Sequence, residues 1–362
     1  MKKIYIFLLI FLLSIFLSPI IGHYTIENLL TKKIDSLSSK NITLIKEKTE
    51  NSYLSTKKEY QFLYTDADEE ILIGVDVLYS NLLLNKTVNI DLYPISISKK
   101  KLKNKALLIH LQYNLLKQKF KGYLKDIEQL YTLKDSTQIF IKIFHTKFNG
   151  DGQLKALNNF KLTSKNIAIK ISKGSQITEL KIDNLFSSIK HTGRDKTLTT
   201  ADTSSDSISF YSADKQIQFQ DINYSVTFNE IDKKALLQFQ KNISQDKDAI
   251  KQNLLHLLSK GIQLSINNFS FKNIILDTKN LGSLKLKSKL DIKKSSNIIT
   301  LTKNISTDIQ LQISKKIFKK MRRSFSAIYL LRFYAKTVDD NYYFHIKYSN
   351  TNLEINGKGL RF

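Results

Sequence analysis

The chain has no cysteine and no tryptophan, and only 2 prolines and 11 glycines among 362 residues. Without cysteine there can be no disulfide framework, no thiolate nucleophile, and no Cys-ligated zinc or iron–sulfur cluster. The scarcity of proline and glycine excludes collagen-like and linker-rich chains. Acidic residues are also few, with 32 Asp and Glu against 57 Lys and Arg, for a formal net charge of +25. Such an excess fits nucleic acid, an anionic membrane surface or an acidic partner. It equally fits the composition of an AT-rich genome, because the lysines are spread along the whole chain beside abundant Ile, Asn, Ser and Leu.

One long apolar run is present, and it opens the chain: "MKKIYIFLLIFLLSIFLSPIIG". The stretch from Ile4 to Ile21 is at the lower limit of a transmembrane helix. Lys2 and Lys3 in front of it predict a cytoplasmic N-terminus and an exported remainder. Ser18 followed by Pro19, and Ile20 two positions before Gly22, make poor cleavage sites. A retained signal anchor over residues 1–22 is therefore favoured over a cleaved signal peptide. Ile26, Leu29, Leu30, Ile34 and Leu37 recur at helical spacing and predict a stalk helix over residues 23–40. The expected location is the bacterial inner membrane, single pass, with the bulk of the chain periplasmic.

Past residue 41 the main signal is period-two alternation. "NITLIKEKTENSYLSTKKEYQFLY" reads as a hairpin turning near Asn51-Ser52, and "EILIGVDVLYS", "NIAIKIS" and "GIQLSINNFSF" read as strands. One apolar face and one Lys/Ser/Asn face per strand imply antiparallel sheets. Helical spacing appears in four places. They are "YNLLKQKFKGYLKDIEQLY", "EIDKKALLQFQKNI" with Asp232 as cap, "DKDAIKQNLLHLLSKG" closing on Gly261, and "SKKIFKKMRRSFSAIYLLRFYAKTV". The polar, Thr/Ser-rich stretch 193–206 reads as a loop between β-rich subdomains at 41–192 and 207–362. The expected fold class is α+β and β-rich: an N-terminal transmembrane helix, then long antiparallel sheets with a few packed helices.

Several segments, in order, resemble the YdgA-like family of bacterial envelope proteins. They are the N-terminal anchor and helix, "SYLSTKKEY", "VTFNEIDKKALLQF", "DIQLQISKKIFKKM", and the closing "YYFHIKYSNTNLEINGKGL", which ends in Asn356-Gly357-Lys358. The closing segment is the most specific of these. The resemblance implies an envelope protein facing the periplasm and carries over no catalytic residue.

Chemistry-bearing motifs are few. The histidines (His23, His110, His145, His191, His256, His345) are never within one helical turn of each other, and no H-E-x-x-H occurs. There is no G-x-S-x-G elbow, no Walker loop and no dinucleotide fingerprint. The acidic group Asp66, Asp68, Glu69, Glu70 lacks the glycine and remote glutamate of a calcium loop. Neither enzymatic activity nor a cofactor is expected, and nucleic acid is disfavoured for want of a reader motif. The most distinctive cluster is Lys315, Lys316, Lys319, Lys320, Arg322 and Arg323. On a helix these cations lie opposite Ile317, Phe318, Met321, Phe325 and Ile328, so the helix could lie on an anionic membrane surface. It could equally pack on the sheet with a basic solvent face.

Two roles follow as expectations. The first is binding of a lipid or another envelope component in a β-sheet groove. The second is a non-catalytic scaffold that pairs with another envelope protein, or with itself as a homodimer, through sheet edges.

Overall fold

A computed structural model describes residues 23, 26–28, 31, 42–66, 69–82, 86–97, 100–101, 108–132, 135–153, 156–193, 196–212, 215–232, 234–235, 247–295, 303–324, 331–349 and 351–360. The described structure is nearly all antiparallel sheet, 76% strand and 11% helix. This corrects the expected α+β class with a transmembrane helix. Among the described residues no helix is long and apolar enough to cross a membrane. The proposed anchor, 1–22, lies outside them, so the single-pass inner-membrane placement loses its support and is withdrawn.

The strands in chain order are β1 (Ile42–Asn51), β2 (Ser55–Asp66), β3 (Glu69–Ser80), β4 (Thr87–Ile97), β5 (Lys100–Lys101), β6 (Ile109–Asn114) and β7 (Lys119–Leu124). Then come β8 (Ile127–Thr132), β9 (Gln138–Phe144), β10 (Thr146–Gln153), β11 (Ala156–Lys173), β12 (Gln176–Thr192), β13 (Lys196–Ser212) and β14 (Lys215–Asp232). After helix α1 (Lys247–Ser259) follow β15 (Ile262–Leu276), β16 (Lys279–Ile292), β17 (Ile305–Ser314) and helix α2 (Lys315–Ser324). The chain closes with β18 (Lys336–Val338), β19 (Asn341–Ser349), β20 (Asn352–Ile355) and β21 (Lys358–Leu360).

The chain divides into two compact units, Met1–Asp126 with His145–Ala156, and Ile127–Phe144 with Leu157–Phe362. In the first, the order is β1-β2-β3-β4-β6-β7-β10, with β5 folded back on β4. Its core is Ile26, Tyr60, Phe62, Val77, Tyr79 and Val88, so the helical residues around Ile26 pack on the β2–β4 face. In the second unit the order is β8-β9-β11-β12-β13-β14-β15-β16-β17-β19. β18 and β20 then share the far side of β19, and β21 pairs with β20.

Two expectations change here and one is met. The segment expected to be helical around Leu115, Leu116, Phe120, Leu124 and Ile127 forms β6, β7 and β8. Lys119–Leu124 alternates exposed and half-buried along its length, and this period of two overrides the helical coincidence. The stretch 193–206, read as a loop between subdomains, is mostly β13, a strand flanked on both sides. Its threonines are β-branched and suit a strand, and the two units divide elsewhere. The helix expected from "DKDAIKQNLLHLLSKG" is α1, and the turn after it uses Gly261 at φ 85°.

Candidate functional site

Along β11 to β14 the apolar residues fall into two sets of opposite sequence parity. Directly opposed residues of neighbouring strands share a face. One such row runs Ile127, Ile143, Ile167, Ile182, Ile208, Phe219, Ile274 across seven strands. The next runs Ile141, Ile169, Leu180, Phe210, Ile217, Leu276. Further along the strands, Phe160, Ile189, Ala201, Val226 and Ile266 form a third row.

The first two rows and the third have opposite parity in β12, where Ile182 and Ile189 are an odd number of residues apart. Asn184 lies between them at φ 50°, and Asp221 at φ 52° takes the same place in β14. A residue in the left-handed region within a strand kinks it and resets the alternation, while the register with the neighbouring strands is the same on either side. In β14 this returns Ile222 to the side of Phe219, and both pack against one apolar cluster. Neighbouring strands answer with buried serines. Ser164 Oγ donates to Phe144 O at 3.2 Å, and Ser205 Oγ lies 2.6 Å from Asp183 O and 2.9 Å from Ser207 O. Asn184 Nδ2 donates to Asp206 Oδ2 at 2.6 Å across the same line. A seam of left-handed residues and buried serines thus crosses the sheet at Asn184 and Asp221, with apolar rows on either side of it.

Two helices cover part of the apolar side. Leu257 of α1 packs with Ile231, Ala235, Phe228 and Ile262. Ile317 and Phe318 of α2 pack with Phe271, Ile313, Phe344 and Ile355, and the Phe318 ring stacks on Phe344 at 5.7 Å. Among the described residues the cover stops between β9 and β13. Ile171, Ile189 and Phe210 are 41%, 44% and 43% exposed. Three strand spacings from β9 to β13 make this strip about 14 Å wide. The opposite face is polar, as in Lys181, Ser188, Asp202, Ser209, Gln218 and Ser225.

No protein family, no curated protein and no solved structure matches the chain. The site is therefore read from its own geometry.

The cations expected at a membrane surface are on α2. Lys316, Lys319 and Lys320 are exposed, opposite the buried Ile317 and Phe318. Lys315 Nζ donates to Asp339 O at 2.7 Å. Arg322 and Arg323 belong to the helix, but their side chains are outside the described structure, as are Phe325 and Ile328. The helix thus packs on the sheet with its described lysines turned outward.

The first unit holds a polar cluster that its sequence did not signal. Lys58 is on the core-facing side of β2, 3% exposed, between Thr56 and Tyr60. Its Nζ donates to Glu27 Oε1 from the helical stretch and to Glu47 Oε1 at 3.2 Å. Tyr79 Oη donates to Glu27 Oε2 at 2.9 Å, and Thr56 Oγ1 donates to Asn81 Oδ1 at 3.0 Å. Burial pushes the Glu27 carboxyl up, but hydrogen bonds from Lys58 and Tyr79 and the Lys58 charge outweigh it, leaving Glu27 below the usual value. Burial pulls the Lys58 ammonium down, while Glu27 and Glu47 hold it above its usual value. Burial raises the Tyr60 phenol to about 12 and, together with the Glu27 carboxylate, pushes Tyr79 well up. Every group has a partner, so the cluster reads as the joint between helix and sheet.

Among the described residues no three His, Asp or Glu side chains come together to hold a metal ion. Two histidines pair with an aspartate of the neighbouring strand, His110 with the directly opposed Asp91 at 2.6 Å and His345 with the diagonal Asp308 at 3.0 Å.

Proposed function

We propose that the second unit is a non-catalytic lipid-binding sheet that takes a lipid acyl chain along the uncovered part of its apolar face. One observation carries the reading: Ile171, Ile189 and Phe210 remain about two-fifths exposed on a face whose neighbouring part is sealed by α1 and α2. A contiguous apolar strip exposed to water marks a surface that something covers. Long apolar surfaces with few polar groups are the usual lining of lipid sites. The resemblance to the YdgA-like family belongs to the same proposal and adds no residue to it.

The scaffold alternative requires a sheet edge open to strand addition. At β1 that edge bears Lys46, Glu47, Lys48 and Glu50, and charged edges resist pairing. The test is mass spectrometry of lipids extracted from the purified full-length protein, repeated with Phe210→Glu. Lipid bound to the parent and lost from the variant is the expected result. If no lipid co-purifies or exchanges in, the acyl-chain reading is wrong, and a concentration-dependent dimer in the same preparation would favour the scaffold.

A further inference from the structure

The apolar rows have a chemical polarity. β11, β13 and β15 run in the same direction, so the turns that follow them lie at one end of the sheet. The row Ile141, Ile169, Leu180, Phe210, Ile217, Leu276 ends at that side on Lys279, the direct partner of Leu276. The next row outward, Ile139, Ile171, Thr178, Ser212, ends on Lys215, the direct partner of Ser212. Lys173, two residues beyond Ile171 in β11, is on the same side. Lysine otherwise belongs to the polar face of these strands, as with Lys181, Lys190, Lys285, Lys287 and Lys289. Here it appears on the apolar side, at one end only.

The three lysines differ in their partners. Lys173 Nζ is 2.9 Å from Asp135 Oδ2 and is neutralised there. Lys215 and Lys279 are exposed, and among the described residues neither has an ion-pair partner. Asp277, the nearest acid in sequence to Lys279, instead accepts a hydrogen bond from the Gln216 backbone N–H at 3.1 Å. Among the described residues, two cations without an ion-pair partner thus stand at this end of the apolar side, Lys215 on β14 beside the uncovered strip and Lys279 two strands farther on, at the start of β16.

We infer that the occupant of the strip is a long-chain amphiphile with an anionic head, a fatty-acid carboxylate, whose chain lies over Phe210 and Ile171 with its head at Lys215 and Lys279. The inference rests on the acyl-chain reading above and adds the class and orientation of the ligand. The hydrocarbon supplies burial, and the carboxylate gains a charge-assisted contact that an alcohol of equal length lacks. Both lysines are at the surface, so the preference weakens as salt rises.

The experiment compares palmitate with hexadecanol on the full-length protein by displacement of a fluorescent fatty-acid probe at low salt. The parent is expected to favour palmitate by about tenfold, a modest charge effect. Lys215→Glu with Lys279→Glu should remove that preference while hexadecanol affinity stays within about twofold, since the burial is unchanged. Lys173→Ala should alter it less, because Lys173 is already paired. An unchanged thermal midpoint of the double variant shows that the sheet is intact. Equal binding of the two ligands by the parent overturns the inference and leaves the acyl-chain reading standing, and so does a preference that survives the double variant. If neither ligand binds, the acyl-chain reading itself falls.

Discussion

Asn356 and His345 exchange two hydrogen bonds. The Asn356 N–H donates to His345 O at 2.8 Å, and the His345 N–H donates to Asn356 Oδ1 at 2.8 Å. The side-chain amide also donates to Tyr343 O at 3.0 Å and to Tyr334 O at 2.6 Å. One side chain thereby fills the gap between β18 and β20 along the edge of β19, from a turn that Asn356 enters at φ 51° and Gly357 leaves at φ 80°. Asn356→Ala would strand three partners, and we expect a loss of about 2–4 kcal/mol in urea unfolding. Asn356→Asp keeps the acceptor but turns a carboxylate toward two carbonyls, and should be worse. Gly357→Ala meets nothing within 4 Å, so it should lose only the conformational term, about 1 kcal/mol. An Asn356→Ala protein as stable as its parent would mean the edge is held by packing alone.

The Lys58 cluster predicts how stability depends on pH. The folded pKa of Glu27 is below its ordinary 4.5. Its contribution is therefore present above that value and is lost as pH falls through the folded one. Lys58, Tyr60 and Tyr79 are shifted upward. Their contributions are complete below the ordinary values of 10.5 and 10.0 and disappear as pH rises through the folded ones. The first unit should therefore hold level stability through neutral pH and lose it on both sides. Lys58→Ala, which leaves Glu27 partly buried without its cation, should cost about 3–5 kcal/mol, whereas Lys58→Met with Glu27→Gln should cost far less. Chemical denaturation across pH, followed in the parent and the double variant, checks both limbs. An acid limb unchanged by the double variant would place the titrating group elsewhere.

Gly122 of β7 sits close against a neighbouring backbone carbonyl in the first unit. A Cβ there would be 2.3 Å from His110 O and 2.5 Å from the Phe148 ring. The ring can turn, but the carbonyl belongs to the β6–β7 ladder and cannot. Gly122→Ala should cost about 2–3 kcal/mol and raise amide exchange in β6 and β7 before the rest of the unit. Uniform exchange would show that the ladder absorbs the methyl.

The β-rich character was legible because β-branched and aromatic residues alternate with polar ones over most of the chain. What misled was local coincidence. Leu115, Leu116, Phe120, Leu124 and Ile127 satisfy a helical spacing although Lys119–Leu124 is a strand, and the Thr/Ser run of β13 imitates a linker. The closing segment, the most specific part of the family resemblance, holds β19, which pairs with β17. The candidate site was harder to see. A left-handed Asn184 or Asp221 looks like any polar residue of a strand, and its effect appears only when the register is counted across neighbours. Lys58 alternates as a core position should, but a charged residue there is read outward by default. Lys215 and Lys279 look like turn residues until the ladder puts them at the ends of apolar rows.

The left-handed residue Asn184 gives the sharpest test of how the apolar face is built. Substitution and deletion should part company there. Glycine adopts φ 50° without strain, so Asn184→Gly loses only the bond to Asp206 and should stay within about 1 kcal/mol of the parent. Asn184→Val, β-branched at a positive φ, should cost about 2 kcal/mol. Deleting residue 184 leaves every other side chain chemically intact but removes the parity reset, turning Leu185, Ser187 and Ile189 to the polar side and Phe186, Ser188 and Lys190 to the apolar one. That single deletion should abolish cooperative unfolding of the second unit, or move the seam to a neighbouring residue with strong loss of stability. If the deleted protein unfolds like the parent, the seam does not set which face is apolar, and the continuous strip of Ile182, Ile189 and Phe210 owes its existence to something else.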